Sequence, residues 1–156
     1  MRKNMLEIIT HPNPILRKKS QPVTNVLAEK IQKLIPQMME IMLAKDGVGL
    51  AAPQIGENIR VIVIAYKEKN LVIINPKILK KSLFKDWDEE GCLSVPNKYG
   101  QVKRHRSLTL KYLNEGGSEQ KLKASGLLAR IIQHEIDHLD GILFIDKANK
   151  LTDIFY

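Results

Sequence analysis

One cysteine, Cys92, is all that the chain contains, so no intramolecular disulfide can form. Aromatic residues are scarce, with three Phe, four Tyr and one Trp making up 5% of the sequence. That leaves little material for the stacking platforms on which single-stranded nucleic acids are bound. No uninterrupted apolar run approaches the roughly 20 residues that a membrane helix requires. The opening stretch from Met1 to Glu7 lacks the apolar core of a secretory signal, and it is not the Ser- and Arg-rich, acid-free pattern of a transit peptide. These absences lead us to expect a cytoplasmic protein with no membrane partner.

What is present suits a globular fold. The chain has 156 residues, 44% of them apolar and 27% charged, enough to build one core and too apolar for a disordered tail. Residues 1–156 are expected to form a single domain. Twenty-five Lys and Arg against seventeen Asp and Glu give a net charge of +8, which favours anionic partners in encounter. The basic residues are scattered along the sequence, so a solvated basic face is the simpler reading, and DNA is not an expected partner.

Pro12, Pro14 and Pro22 favour extended or turn backbone at the start of the chain. Ile31, Leu34, Ile35, Met38 and Met42 recur at helical spacing and predict an N-terminal amphipathic helix ending near Asp46-Gly47. Pro36 falls inside that pattern and predicts a kink or a late helix start. The β-branched runs Ile59–Tyr66 and Leu71–Asn75, split by Lys67–Asn70, read as a hairpin. Leu108, Leu110 and Tyr112 alternate with Thr109 and Lys111 as another strand, whose partner is expected around Glu119–Lys123. Strands in the middle and a helix near the end predict an α+β fold, with antiparallel sheets around a central helix.

The chemistry is concentrated in that second helix, Ser125–Gly141, with Ser125 as its expected N-cap and Gly141 as its stop. It contains His134-Glu135-Ile136-Asp137-His138, an H-E-x-x-H pattern. Four residues of helix place the two imidazoles about 40° apart around the axis and about 6 Å apart along it, so both can reach one metal ion. Glu135 lies near that ion without being forced to bind it, where a general base is useful. Arg130, Gln133, Asp137 and Asp140 fall on one polar stripe, and Leu128, Ile132, Ile136 and Leu139 fall opposite and should be buried. The histidines share their stripe with Leu127 and Ile131, which gives the site an apolar wall.

A third ligand is needed. Zinc proteases that extend the motif place a histidine where this chain has Phe144. Of the other candidates, His11 lies among prolines and His105 among cations, whereas Cys92 stands in a Gly-flanked turn. A lone cysteine is otherwise a small buried hydrophobe. Paired with two histidines, a thiolate gives three protein ligands and an open fourth position, the pattern of a catalytic site.

Three segments together resemble one family, the peptide deformylases: Gly47-Val48-Gly49-Leu50-Ala51-Ala52-Pro53-Gln54, Glu90-Gly91-Cys92-Leu93-Ser94, and Gln133-His134-Glu135-Ile136-Asp137-His138. The similarity runs from about His11 to Phe144. The resemblance implies removal of the N-formyl group from the initiator formyl-methionine of nascent polypeptides, with release of formate. It implies Cys92, His134 and His138 as metal ligands and Glu135 as general acid and base to an attacking metal-bound hydroxide. Gln54, through its side-chain amide, and Leu93, through its backbone N–H, would meet the developing oxyanion. Val48, Gly49, Leu127 and Ile131 are the expected substrate-binding residues, with Gly49 pairing the peptide as an added strand. The implied cofactor is one divalent ion, Fe(II) in the cell, with Zn(II), Ni(II) or Co(II) in preparations.

Two departures stand out. Many bacterial members carry an Arg near Tyr99, where this chain has Asn97-Lys98-Tyr99-Gly100. Many also carry a long basic C-terminal helix that docks the ribosome, whereas the sequence here reaches Tyr156 with only Lys147 and Lys150 in that stretch. A ribosome contact would have to be made without that helix, and a monomer is expected. The competing readings are a metallo-endopeptidase, which shares H-E-x-x-H, and a basic nucleic-acid-binding module without metal.

Overall fold

The computed structural model describes residues 6–154; most of the opening stretch read above for targeting signals therefore lies outside the described residues. Residues 6–28 run as irregular backbone with one short 3-10 turn at Pro14–Arg17. They are tied down at intervals: Ile9 N–H donates to the Gln54 carbonyl (2.7 Å), His11 N–H to Ser94 (2.8 Å) and Ser20 N–H to Leu139 (2.7 Å). The proline-rich opening thus binds to the three segments that carry the chemistry.

Helix α1 spans Glu29–Ala44 and buries Ile31, Leu34, Ile35, Met38 and Met42, the stripe predicted from spacing. Pro36 corrects the expectation of a late start, because the helix begins seven residues before it and continues past it. A proline in a helix interior costs about 3 kcal/mol. Burying five large apolar side chains, each worth about 1.5–3 kcal/mol, outweighs that cost.

Eight strands follow among the described residues: β1 Gly49–Ala51, β2 Val61–Tyr66, β3 Lys69–Lys81, β4 Lys85–Cys92, β5 Val95–His105, β6 Ser107–Leu113, β7 Glu119–Ser125 and β8 Asn149–Asp153. They form two antiparallel sheets, β1-β2-β3-β6-β7 and β4-β5-β8. The expected β2–β3 hairpin and β6–β7 pair are both present. Helix α2, Gly126–Leu139, follows β7 directly. Its Ile132, Ile136 and Leu139 pack on Ile62, Ile64, Ile73, Leu108 and Leu110 of the larger sheet. Helix α1 covers the opposite face through Val61, Val63 and Ile74. The α+β fold around a central helix is therefore as expected. No helix among the described residues is long and apolar enough to cross a membrane.

The ends of α2 differ in how they are made. Ser125 occupies the N-cap position, but its side chain makes no capping hydrogen bond. At the other end the Gly141 N–H donates to His138 (3.2 Å) and the Ile142 N–H to Asp137 (2.8 Å). This is the paired closure that needs a left-handed residue. Gly141 supplies it at φ +74°, where an added Cβ would lie 2.5 Å from the Arg17 carbonyl oxygen. Gly141→Ala is expected to destabilise the fold by at least about 1–2 kcal/mol, read as a lowered midpoint in urea with an unchanged slope.

Candidate functional site

The second sequence segment and α2 meet in space. Strand β4 ends at Cys92, turns through Leu93-Ser94 and returns as β5, with Cys92 paired to Val95. The turn delivers Cys92 Sγ to 3.2 Å from His138 Nε2. One ligand atom each from Cys92, His134 and His138 lies within 4.8 Å of the other two. The imidazole rings are 5.0 Å apart between centroids and inclined at 70°, consistent with two ligands on one helix face converging on a point. The donor set, one soft sulfur and two ring nitrogens, suits a tetrahedral transition-metal ion with one position left over.

Each ligand is held from behind. His134 Nδ1 donates to Glu90 Oε1 at 2.9 Å, which leaves Nε2 free to face Cys92. Its ring stacks on buried Phe144, the residue that replaces a third histidine, at 6.3 Å and 25°. His138 is almost wholly buried. Burial, with repulsion from His134 and Arg104, holds it well below the usual imidazole range. It is therefore neutral, the form that binds a metal. Burial would also lower His134, but its contacts with Cys92 and Glu90 carry it up to about 10. A cation binding at Nε2 would have to displace that proton.

Glu90 is the residue that sequence reasoning left without a role. Its buried carboxylate accepts from His134, from Arg104 Nη2 (2.9 Å) and Nε (3.0 Å), and from Arg130 Nη1 (2.7 Å). Arg104 also pairs with Asp137, which in turn meets Lys147. Burial opposes ionisation of Glu90, yet the hydrogen bonds and charges of His134 and Arg104 outweigh it and hold the carboxyl well below the usual range. The stripe Arg130–Gln133–Asp137 is therefore an interface with the smaller sheet, with Gln133 bonded to the His105 backbone at both ends of its amide. Its signal in the sequence was the run of polar residues on one face of a helix whose other faces had assignments already. His11 is exposed, and His105 Nδ1 is bonded to the Ser82 carbonyl, so neither joins the cluster.

Gln54 is buried and fixed at both ends: Oε1 accepts from Ala51 N–H (2.9 Å), and Nε2 lies 3.1 Å from Ser94 Oγ and 3.6 Å from Cys92 Sγ. Its amide nitrogen therefore faces Ser94 and the Cys92 edge of the cluster. Glu135 is buried, with Oε2 in no hydrogen bond. Burial pushes it up to about 7 against the opposing pull of His134. Gly49 packs so closely on it that an added Cβ would lie 2.6 Å from Oε1.

A cleft of about 560 Å³ opens over this cluster, lined by Val48, Gly49, Leu93, Leu127 and Ile131 among others. Val48 and Leu127 are half-exposed and Ile131 is buried, so the apolar wall runs from solvent down to the metal-binding side chains. Tyr99 also lines the cleft, its ring against Gly91.

A family model for polypeptide deformylases matches residues 5–153. The chain belongs to the polypeptide deformylase family. It is 48% identical over 151 residues to a peptide deformylase of Halothermothrix orenii, covering 96% of this chain and 97% of that one. It is 45% identical to that of Desulforudis audaxviator, with 94% and 96% covered. Among solved structures, the peptide deformylase of Thermotoga maritima superposes with a TM-score of 0.91 at 39% identity, covering 94% of this chain and 99% of that one. The enzyme of Synechococcus elongatus in complex with actinonin gives 0.90 at 40%, covering 96% and 82%.

Removing one partner of a buried ion network leaves uncompensated charge, at about 3–5 kcal/mol. Glu90→Ala leaves Arg130 without a carboxylate and Arg104 with Asp137 alone, and is expected to destabilise the protein by about that amount in denaturant titration.

Proposed function

We propose that Cys92, His134 and His138 hold one divalent metal ion, and that Glu135 moves the proton in the reaction of this family. That reaction is hydrolytic removal of the N-formyl group from formyl-methionine at the start of nascent polypeptides, with release of formate. The observation that carries the residue assignment is the convergence of Sγ and two imidazole nitrogens within 4.8 Å, beside a buried carboxylate whose Oε2 has no partner. A bound divalent ion supplies a Lewis acid that acidifies water and polarises the formyl carbonyl.

The chain's own groups do the rest. Glu135 accepts a proton from the attacking water and returns it to the leaving amine, and its burial keeps bulk water from competing for that proton. The Gln54 amide, held by Ala51 and Ser94, donates to the oxygen as negative charge builds there, and the Leu93 N–H is the second donor. Each such donor is worth about 10²–10³ in rate. Because the Gln54 amide is fixed before substrate arrives, it needs little reorganisation during reaction. Val48, Leu127 and Ile131 form the wall for the methionine side chain, and Gly49 offers backbone to the peptide beside Glu135.

Iron(II) is the proposed ion in the cell, with zinc, nickel or cobalt able to occupy the same ligands, since affinity order alone does not decide loading. The proposed unit is a cytoplasmic monomer of one domain.

Elemental analysis paired with formate release from formyl-Met peptides tests the assignment. Cys92→Ala is expected to lose the metal. Glu135→Gln is expected to keep it and to lose at least about 10²-fold in kcat. Full metal retention by Cys92→Ala would favour an endopeptidase-like ligand set instead.

A further inference from the structure

Strand pairing gathers lysines that the sequence leaves scattered. Across β3, β6 and β7, Lys77 pairs with Lys111 and Lys111 with Lys121, so three lysines share one rung. The next rung on that face is Lys80, Thr109 and Lys123. The rung between them, Ile78, Leu110 and Leu122, packs against the α2 side of the sheet, which turns the lysines outward. All five are exposed. Glu119 is the acid that meets them, 2.8 Å from Lys111. Beside the second rung is a depression of about 320 Å³ lined by Lys80, Lys81, Lys123, Ser107, Thr109 and Ser125, with no carboxylate in its wall.

Like charges directly opposite on neighbouring strands destabilise a sheet. Lysines on an edge strand guard against edge-to-edge pairing, which accounts for Lys121 and Lys123 on β7. It does not account for Lys111, because β6 is paired on both sides. Glu119 meets one of the three charges in that rung, and a further anionic partner would relieve the repulsion that is left.

We propose that this face binds the phosphate backbone of double-helical RNA. Lysines are point charges that contact phosphate without reading bases. The rungs carry no aromatic side chain, so they offer no stacking platform for unpaired bases. The hydroxyls of Ser107, Thr109 and Ser125 interleave with the lysines and can pair with ribose 2′-hydroxyls, the groups that distinguish RNA from DNA. None of these residues lines the cleft above Cys92, so the face can be occupied while the cleft turns over.

Fluorescence anisotropy of the full chain with a labelled RNA duplex of about 20 base pairs, from about 50 to 200 mM salt, tests this. The variant Lys80→Gln, Lys121→Gln, Lys123→Gln is expected to bind roughly tenfold or more weakly at low salt, with a salt slope shallower by about 2–3. Its formate release should be unchanged. The charge-matched variant Lys18→Gln, Lys19→Gln, Lys33→Gln should bind like the parent, and a DNA duplex of the same sequence should bind more weakly. Equal loss in both variants would overturn the proposal, as would equal affinity for DNA. So would binding to phosphatidylglycerol vesicles through the same lysines without binding to RNA.

Discussion

Glu90 is the charge on which the arrangement of this site depends. Its carboxylate sits out of water at the seam between the smaller sheet and α2, and it is ionised because three cationic or N–H-bearing side chains converge on it. Arg104 comes from β5, and Arg130 and His134 come from α2, so a single anion couples the sheet to the helix. Cys92 is two residues further along the same strand. The contact that orients His134 therefore also brings the thiol to the helix that carries both imidazoles. A charged network of this kind adds little net stability compared with apolar packing, but it tolerates few alternative registers. Here it fixes where β4 ends relative to α2.

Around that seam, several backbone features protect the same geometry. The irregular N-terminal segment bonds in turn to the carbonyls of Gln54, Ser94 and Leu139. Gly141 lets the chain leave α2 in one residue and sends Phe144 back beneath His134. Gly49 admits Glu135 to a place that any side chain would occupy. The protein thus spends conformationally unusual residues where two segments must approach within a few ångströms. The proposed RNA-binding lysines lie on a different sheet face, where β3 pairs with β6 through two register shifts, and they share no residue with the cleft.

Much of the site was legible because its spacing is helical. His134, Glu135 and His138 lie within five residues, and the 3.6-residue turn alone brings them together. Cys92 was reached by elimination among the remaining candidate ligands and Gln54 only by pattern resemblance, since nothing local states that a turn after β4 reaches α2. Glu90 escaped for the same reason: its three partners lie 14, 40 and 44 residues away. The smaller sheet was the least readable part of the fold. Strand β4, Lys85-Asp-Trp-Asp-Glu-Glu-Gly-Cys92, is exposed over its first five residues and carries no apolar alternation. Strand β8 is exposed throughout. Both are held by pairing with β5, a tertiary effect with no signature of period two. Pro36 misled in the opposite direction, because a strong local penalty was overridden by a buried helical face.

X-ray absorption at the edge of the bound metal decides whether Cys92 is a ligand, because it reads the ligand atoms themselves. In the zinc-loaded protein the expected scatterers are one sulfur at about 2.3 Å and two nitrogens at about 2.0–2.1 Å. A shell of nitrogen and oxygen alone, with no sulfur scatterer, would contradict that assignment.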